Sequence, residues 1–382
     1  MAYTESEARA LVVKAGLRLV ETGLIARTWG NISARISGTQ FVVTPSGRAY
    51  ETLGPEELVV VNIADCSYSG GIKPSSEKGV HADAYRLRPD VDFVIHTHQE
   101  AATIAGLAGT ALSGYGADAE RVLGPCVPCA AYGISSTKKL RKNVAAAVAA
   151  NPESSAVMMI HHGALCMGKT FEEAFASSAA LEDVCRKKIE ADCGMTLEPG
   201  TDSDSRGAVE SSRIGNVFRL TGDGTEREYD LDALPPDISG EAAVHAAVYR
   251  KSGGVACIMH VFDRDILSVS AKGKTIRPRI DDFAQIAGVS VRCVRSGGQQ
   301  PAAIAGKLGG RNAVLLEGNG ALCTGKEKGD AEAVRLILLK SCRAELYASC
   351  VRCGGPLGPV DSFLQRLIYV KKYSKQKNTQ EK

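Results

Sequence analysis

Apolar positions in the first 190 residues recur with two different periods. Ala8, Leu11, Val12, Ala15 and Leu19 fall three and four apart, which predicts an amphipathic helix from Glu5 to Thr22 that ends near Gly23. Short apolar or alternating runs predict strands at Gln40 to Thr44, Leu58 to Ile63, Val91 to His98 and Ala156 to His161. Helical spacing returns at Ser76 to Leu87, Lys138 to Ala150 and Phe171 to Ala191. The mixture reads as an α/β chain, a sheet covered by helices, with strand order left open by the pattern.

The chain also resembles itself. EKGVHADAY at Glu77 to Tyr85 returns as EAAVHAAVY at Glu241 to Tyr249, and GALCMGK at Gly163 to Lys169 returns as GALCTGK at Gly320 to Lys326. Two matches in the same order, at offsets of 164 and 157 residues, predict one fold present twice rather than a short-period solenoid. Gly, Ser and Asp cluster at the join, residues 197–212. The expected domains are residues 1–198, carrying the site, residues 207–370, a degenerate copy, and a disordered basic tail over residues 371–382.

At 382 residues each half can bury a core. Lysine plus arginine exceeds aspartate plus glutamate by 46 to 43, and 44% of residues are hydrophobic, which argues against a nucleic-acid-binding arm and against a disordered chain. No apolar run has the length of a membrane span, and MAYTESEAR places acidic residues where a signal peptide is basic then apolar, so a soluble, cytoplasmic protein is expected. Twelve cysteines in so long a chain suggest reduced thiols. Cys126/Cys129 and Cys350/Cys353 form two CxxC pairs, over two hundred residues apart, and read as unpaired thiols in turns.

Histidine carries the candidate chemistry. The apolar run before His96-Thr97-His98 predicts a strand, and residues two apart on a strand share a face. His161-His162-Gly163 ends another predicted strand, with Gly163 read as allowing a sharp turn. Three imidazoles with an open fourth position suit a catalytic Zn²⁺, although a single histidine is more often an ordinary core or surface residue. Four of the seven histidines fall in these two clusters. Glu77 follows Ser76, the expected N-cap of a helix, and is either a first-turn carboxylate facing the helix dipole or a metal-side ligand and base. His81, one turn on, shares its face and reads as a supporting residue, because His245 persists in the second copy.

Three polar segments form a candidate anion pocket: Thr28 to Ser33, Thr44-Pro45-Ser46-Gly47 and Pro74-Ser75-Ser76. Each alone reads as a turn. A competing signal is Gly163 to Thr170, which matches the phosphate loop G-x-x-x-x-G-K-T. Its apolar interior and the GKE of the second copy argue against it.

Together GNIS at Gly30, TPSG at Thr44, PSSE at Pro74, RPDVDFVIHTH from Arg88 and HHGAL at His161 resemble the class II aldolase/adducin family, most nearly its fuculose-1-phosphate aldolases. The resemblance covers most of residues 5–190. It implies a three-layer class II aldolase-like fold, a central sheet flanked by helices. It implies Zn²⁺, or another divalent ion, on His96, His98 and His162, with Glu77 as resting ligand and base. Phosphate and substrate contacts would come from Thr28, Gly30, Asn31, Thr44, Ser46, Gly47, Ser75 and Ser76, and the proton donor would be Tyr115.

The implied reaction is reversible carbon-carbon cleavage of a short sugar phosphate through an enediolate, with a ketone phosphate and an aldehyde as partners. The family's epimerases usually carry aspartate at the place of Glu77, which favours the aldolase branch. Epimerase, dehydratase, decarboxylase and a non-catalytic adducin-like interaction role are the alternatives. In the second half Glu241 and His260 keep the spacing of Glu77 and His96, but Phe262 and Asn319 replace the other two histidines, so a metal-free packing domain is expected. Family resemblance further implies a homo-oligomer, two fused chains imitating a tetramer, while charge balance and the short apolar runs point to neither nucleic acid nor membrane as partner.

Overall fold

The computed structural model describes residues 3–25, 27–197, 207–222 and 224–380. The chain divides into two compact units, residues 1–197 with 350–354 and residues 198–349 with 355–382.

In the first unit, helix α1 (Glu5–Glu21) starts at a Thr4/Glu7 capping box, which satisfies amide groups that a helix start leaves open. The strands are β1 (Gly30–Arg35), β2 (Gln40–Val43), β3 (Val59–Asn62) and, after helix α2 (Lys78–Leu87), β4 (Phe93–Thr97). Helix α3 (Glu100–Ala105) follows directly, then β5 (Leu112–Ser113), α4 (Ala117–Leu123), β6 (Cys126–Val127) and β7 (Cys129–Ala130). Helix α5 (Lys138–Ala150), β8 (Ala156–Met159), β9 (Gly163–Gly168) and α6 (Phe171–Cys193) complete it. Seven strands form one sheet in the order β3-β2-β1-β4-β9-β8-β7, antiparallel except for the β7/β8 pair.

Alternation along β4 explains the layers. Val94 joins Phe41, Val61, Tyr85, Val144 and Leu165 in the core between the sheet and helices α2 and α5. Phe93 points to the opposite face, where its ring meets Phe171 of α6 at 5.6 Å. His96 and His98 therefore follow Val94 toward the α2/α5 side, and Thr97 and Gln99 follow Phe93 toward α6.

Several sequence expectations change. The polar stretch read as a turn from Thr28 to Ser33 becomes strand β1 from Gly30, because Ile32 and Ala34 are buried and the segment pairs with both β2 and β4. Gly163–Gly168, not among the expected strands, is strand β9, buried throughout and paired with β4 and β8, so its amides serve the sheet and not a phosphate loop, as its apolar interior argues. Ser76 is not the N-cap of α2; Glu77 occupies that position and its carboxylate is directed elsewhere. Another change lies in the carboxy-terminal tail, described with the second unit. None of the twelve cysteines forms a disulfide, but the CxxC pairs are not in turns as expected: Cys126 and Cys129 lie in the short strands β6 and β7.

The second unit holds β10 (Val209–Ile214), β11 (Val217–Gly222), β12 (Thr225–Asp230), α7 (Gly240–Lys251), β13 (Cys257–Val261), α8 (Arg264–Ser270) and α9 (Asp281–Ile286). Then come β14 (Cys293–Val294), α10 (Pro301–Leu308), β15 (Ala313–Leu316), β16 (Ala321–Gly325), α11 (Lys328–Cys350) and α12 (Pro359–Gln380). Its sheet order, β12-β11-β10-β13-β16-β15-β14, repeats the first sheet strand for strand, again with one parallel pair at the end. The tail expected to be disordered from residue 371 is helical as far as Gln380. After Pro359 no glycine or proline interrupts the helix-forming Leu, Gln, Arg and Lys residues. Among the described residues no helix is long and apolar enough to cross a membrane.

Candidate metal centre

The centre is assembled at one end of the sheet. His96 lies near the end of β4, His98 lies two residues on, His162 sits between β8 and β9, and Glu77 opens α2. The turn at His162 is made by His161, which takes a left-handed φ of 65°, whereas Gly163 answers a different need. A Cβ at Gly163 would stand 2.2 Å from the Thr97 carbonyl oxygen, so close approach to β4 rather than a sharp turn demands glycine there. On the other flank of β4, Gly30 has φ 146° and a Cβ there would stand 2.6 Å from the His96 carbonyl oxygen.

The donor atoms of Glu77, His96, His98 and His162 all lie within 4.8 Å of one another, and this is the only such His/Cys/Asp/Glu group among the described residues. His96 Nε2 is 3.1 Å from His98 Nε2 and 3.0 Å from Glu77 Oε2, and His162 Nε2 is 3.2 Å from Glu77 Oε1. His96 Nδ1–H donates to the Ala164 carbonyl at 2.8 Å, which leaves the Nε2 lone pair facing the cluster. His162 Nδ1 lies 3.4 Å from Ser135 Oγ.

This donor set fits a divalent cation. Lone pairs of neutral imidazoles repel each other and a carboxylate at such distances, and a shared cation converts those repulsions into ligation. Two ligands on a tetrahedral Zn²⁺ with bonds of 2.0–2.1 Å stand about 3.3 Å apart, close to the separations here. Burial by itself raises the pKa of Glu77, yet His162 and His96 beside it hold the carboxyl well below the usual carboxylate range.

Further contacts fix the Glu77 carboxylate. Asn31 Nδ2 donates to Glu77 Oε2 at 3.4 Å, and the Ser136 backbone N–H donates to Glu77 Oε1 at 3.3 Å. Asn31 Oδ1 is 2.5 Å from His81 Nε2, His81 Nδ1 is 2.6 Å from Ser33 Oγ, and Ser33 Oγ is 2.7 Å from the Tyr85 hydroxyl. His81 thus stands behind Asn31, and burial pushes its pKa down to about 3.

The polar segments converge in part. Ser46 N–H donates to the Lys73 carbonyl and Ser75 N–H to the Thr44 carbonyl, so the Thr44–Gly47 and Pro74–Ser76 loops run side by side. Thr44 Oγ1 accepts from the Ile32 N–H in β1. The Thr28 carbonyl accepts from the Gly30 N–H, a contact within its own segment. Ser46 Oγ is buried without a hydrogen-bond partner, and Gly47 takes a left-handed φ of 75° in the same loop.

Tyr115 is not brought to the cluster. Its hydroxyl donates to the Gly124 carbonyl at 2.5 Å, and it lines a separate cavity of about 670 Å³ between the β5–α4 loop and α6, with no metal-cluster residue in the wall. Partial burial pushes its pKa up to about 12. The segment after Leu112 has neither an apolar period nor a close sequence match to place it, and the hydroxyl is spent on its own loop.

Several supporting residues carry no sequence signal of their own. Gln99 Oε1 accepts from Thr97 Oγ1 and Ser178 Oγ, and Glu182 Oε1 and Oε2 accept from the Ala101 and Ala102 N–H groups that start α3. These contacts hold the chain just beyond His98. Only Glu182, an acidic residue on the buried stripe of α6, hints at such a role in the sequence.

The second unit keeps part of the arrangement. His260 Nδ1 is 2.8 Å from Glu241 Oε1, and its Nε2 is 2.7 Å from the Asn319 carbonyl oxygen. Phe262 fills the place of His98, its ring 4.3 Å from that of His260. His245 Nδ1 is 2.7 Å from Ser211 Oγ, which is 2.7 Å from the Tyr249 hydroxyl.

Known structures similar to this chain include an L-fuculose 1-phosphate aldolase, 28% identical over 52% of this chain and 93% of its own, with a TM-score of 0.46. L-fuculose-1-phosphate aldolase from Thermus thermophilus is 28% identical over 48% and 92%, with a TM-score of 0.42. L-fuculose 1-phosphate aldolase from Glaciozyma antarctica is 22% identical over 52% and 80%, with a TM-score of 0.41. The family described as Class II Aldolase and Adducin N-terminal domain matches residues 10–189 and again residues 215–346, one segment in each unit, and the chain belongs to that family.

Proposed function

We propose that the first unit is a divalent-metal-dependent aldolase, with Zn²⁺ as the resident ion, that makes and breaks a carbon-carbon bond in a short sugar phosphate. His96, His98 and His162 would hold the ion, with Glu77 as a fourth ligand at rest. Bound there, the ion supplies Lewis acidity to the oxygens of a hydroxyketone, making the hydroxyl-bearing carbon acidic. Glu77 would take the proton from that carbon, and the carbanion left behind would add to the carbonyl carbon of an aldehyde, whose oxygen takes up a proton from solvent to become the product hydroxyl; cleavage runs the same steps backward.

The observation that carries this reading is Glu77 itself. It is a buried carboxylate held by Asn31 and the Ser136 N–H within reach of three imidazole nitrogens, next in the chain to the Ser75-Ser76 loop. The unpartnered Ser46 Oγ, the Ser75 and Ser76 hydroxyls and the Gly47 turn suit a phosphate group, which would orient the ketone with its acidic carbon toward Glu77.

The test is proton exchange. With dihydroxyacetone phosphate in deuterium oxide, the metal-loaded protein is expected to introduce deuterium at the hydroxymethyl carbon, read by proton NMR. Full exchange by Glu77→Gln would overturn the assigned base, and purified protein without a divalent ion would overturn the metal centre. A screen of ketose phosphates for aldehyde release would identify the second substrate.

A further inference from the structure

Beyond the N–H that holds Glu77, Ser136 has a hydroxyl contact and a backbone conformation that the chemistry above does not use. It lies just before α5 in a left-handed conformation, φ 64°, which glycine adopts without steric cost and other residues do not. In this turn its N–H reaches Glu77 Oε1 at 3.3 Å and its hydroxyl reaches Ser76 Oγ at 2.8 Å, so two groups of one residue engage two adjacent residues of the candidate site. Glycine would supply that backbone and that N–H equally well. What serine adds is the hydroxyl.

We propose that Ser136 is a positioning residue for anion binding: by donating its hydroxyl proton to Ser76 Oγ, it turns the Ser76 O–H outward as a donor to a phosphate oxygen. This rests on the reading of the Ser46/Ser75/Ser76 loops as a phosphate pocket. The physical basis is proton accounting. A serine hydroxyl has one proton and two acceptor lone pairs. With a lone pair occupied by Ser136, Ser76 has its own proton to give, and its rotor is fixed before the ligand arrives. Without Ser136 the rotor is free, and ordering it is part of the cost of binding. The second contact of Ser136, through its N–H, ties the same turn to Glu77, so phosphate seat and base are held by one residue.

The experiment compares wild type, Ser136→Gly, Ser76→Ala and the double variant as metal-loaded full-length chains. Affinity for inorganic phosphate is read by calorimetry, alongside bound metal and thermal midpoint. Ser136→Gly retains the N–H at Glu77 and relieves the backbone, so metal content and midpoint should not fall. Its phosphate affinity should drop about 3- to 10-fold, the worth of one neutral hydrogen bond. The double variant should bind no more weakly than Ser76→Ala alone, because Ser136 acts through Ser76. In turnover, KM for a phosphorylated ketose should rise by the same factor while kcat changes less than about twofold.

Wild-type affinity in Ser136→Gly, or effects of the two substitutions that multiply, would overturn the proposal while leaving the phosphate pocket intact. Phosphate seated on the ion instead would be indifferent to both substitutions, and that result would overturn it equally. If wild type binds no phosphate, the pocket assigned under the proposed function fails, and the role of Ser136 with it.

Discussion

The two units share a sheet order but not a site, and the difference separates what the fold needs from what the chemistry needs. Ser33, His81 and Tyr85 form a buried hydrogen-bonded chain in the first unit, and Ser211, His245 and Tyr249 form the same chain in the second. That chain survives where the cluster does not, so it belongs to packing between the sheet and the following helix. Three replacements distinguish the copies: Val209 takes the register position of Asn31, Phe262 that of His98 and Asn319 that of His162. His260 then bonds Glu241 through one nitrogen and the Asn319 carbonyl through the other, so neither nitrogen is open to a metal. At the start of the next helix, the neutral Gln99 of the first unit gives way to Asp263, paired with Arg335 at 2.6 Å.

The largest effect expected from breaking this comparison is catalytic. Glu77→Gln should lower the rate of deuterium exchange by about 10²- to 10⁴-fold, the usual worth of a general base, while Glu241→Gln leaves it unchanged. Metal content comes next. Plasma emission analysis should find about one divalent ion per wild-type chain and nearly none in His98→Ala. Phe262→His should not add a second ion, because His260 already has both nitrogens engaged.

Stability should treat the copies alike. His245→Ala and His81→Ala each remove a buried ring and one hydrogen-bond partner of the serine hydroxyl, and each should cost about 2–4 kcal/mol by denaturant unfolding. Acid sharpens the point. Burial pushes His245 down to about 4 from 6.5, so between those values the unfolded chain binds a proton that the folded chain does not. Its contribution to stability is fully present above pH 6.5 and is lost as the pH falls toward 4, at up to about 1.4 kcal/mol per pH unit. For His81 the loss continues to about pH 3. Replacing either histidine with glutamine should flatten the corresponding part of the pH profile.

The smallest expected effect runs the other way. His245 Nε2 and Glu241 Oε2 are buried without hydrogen-bond partners, 3.7 Å apart, where Asn31 serves the equivalent atoms in the first unit. Val209→Asn should therefore stabilise the second unit by about 1 kcal/mol, seen as slower hydrogen exchange in β10 and α7. A loss of stability instead would show that the second unit has repacked around the valine.

Much of this was legible in the sequence because it depends on short-range rules. Period-two alternation placed His96 and His98 on one face, and helical spacing marked α1, α2, α5 and α6 to within a few residues at each end. Strand β1 escaped because its polar Asn31 and Ser33 resemble turn residues, although both are buried in the network behind Glu77. Strand β9 was obscured by a short motif that fits a loop, and α12 by a run of lysines that fits a solvated end.

The amino-acid sequence alone determined the alternation of elements, the imidazoles and carboxylate of the candidate centre, and which copy retains them, since these rest on side-chain type and local backbone geometry. Only the tertiary structure decided which distant groups meet: Ser136 with Glu77, 59 residues apart, Glu77 with His162, and Tyr115 with a cavity of its own. Such meetings depend on strand order and on the close approach allowed at Gly30 and Gly163, and neither is encoded in any window shorter than the sheet itself.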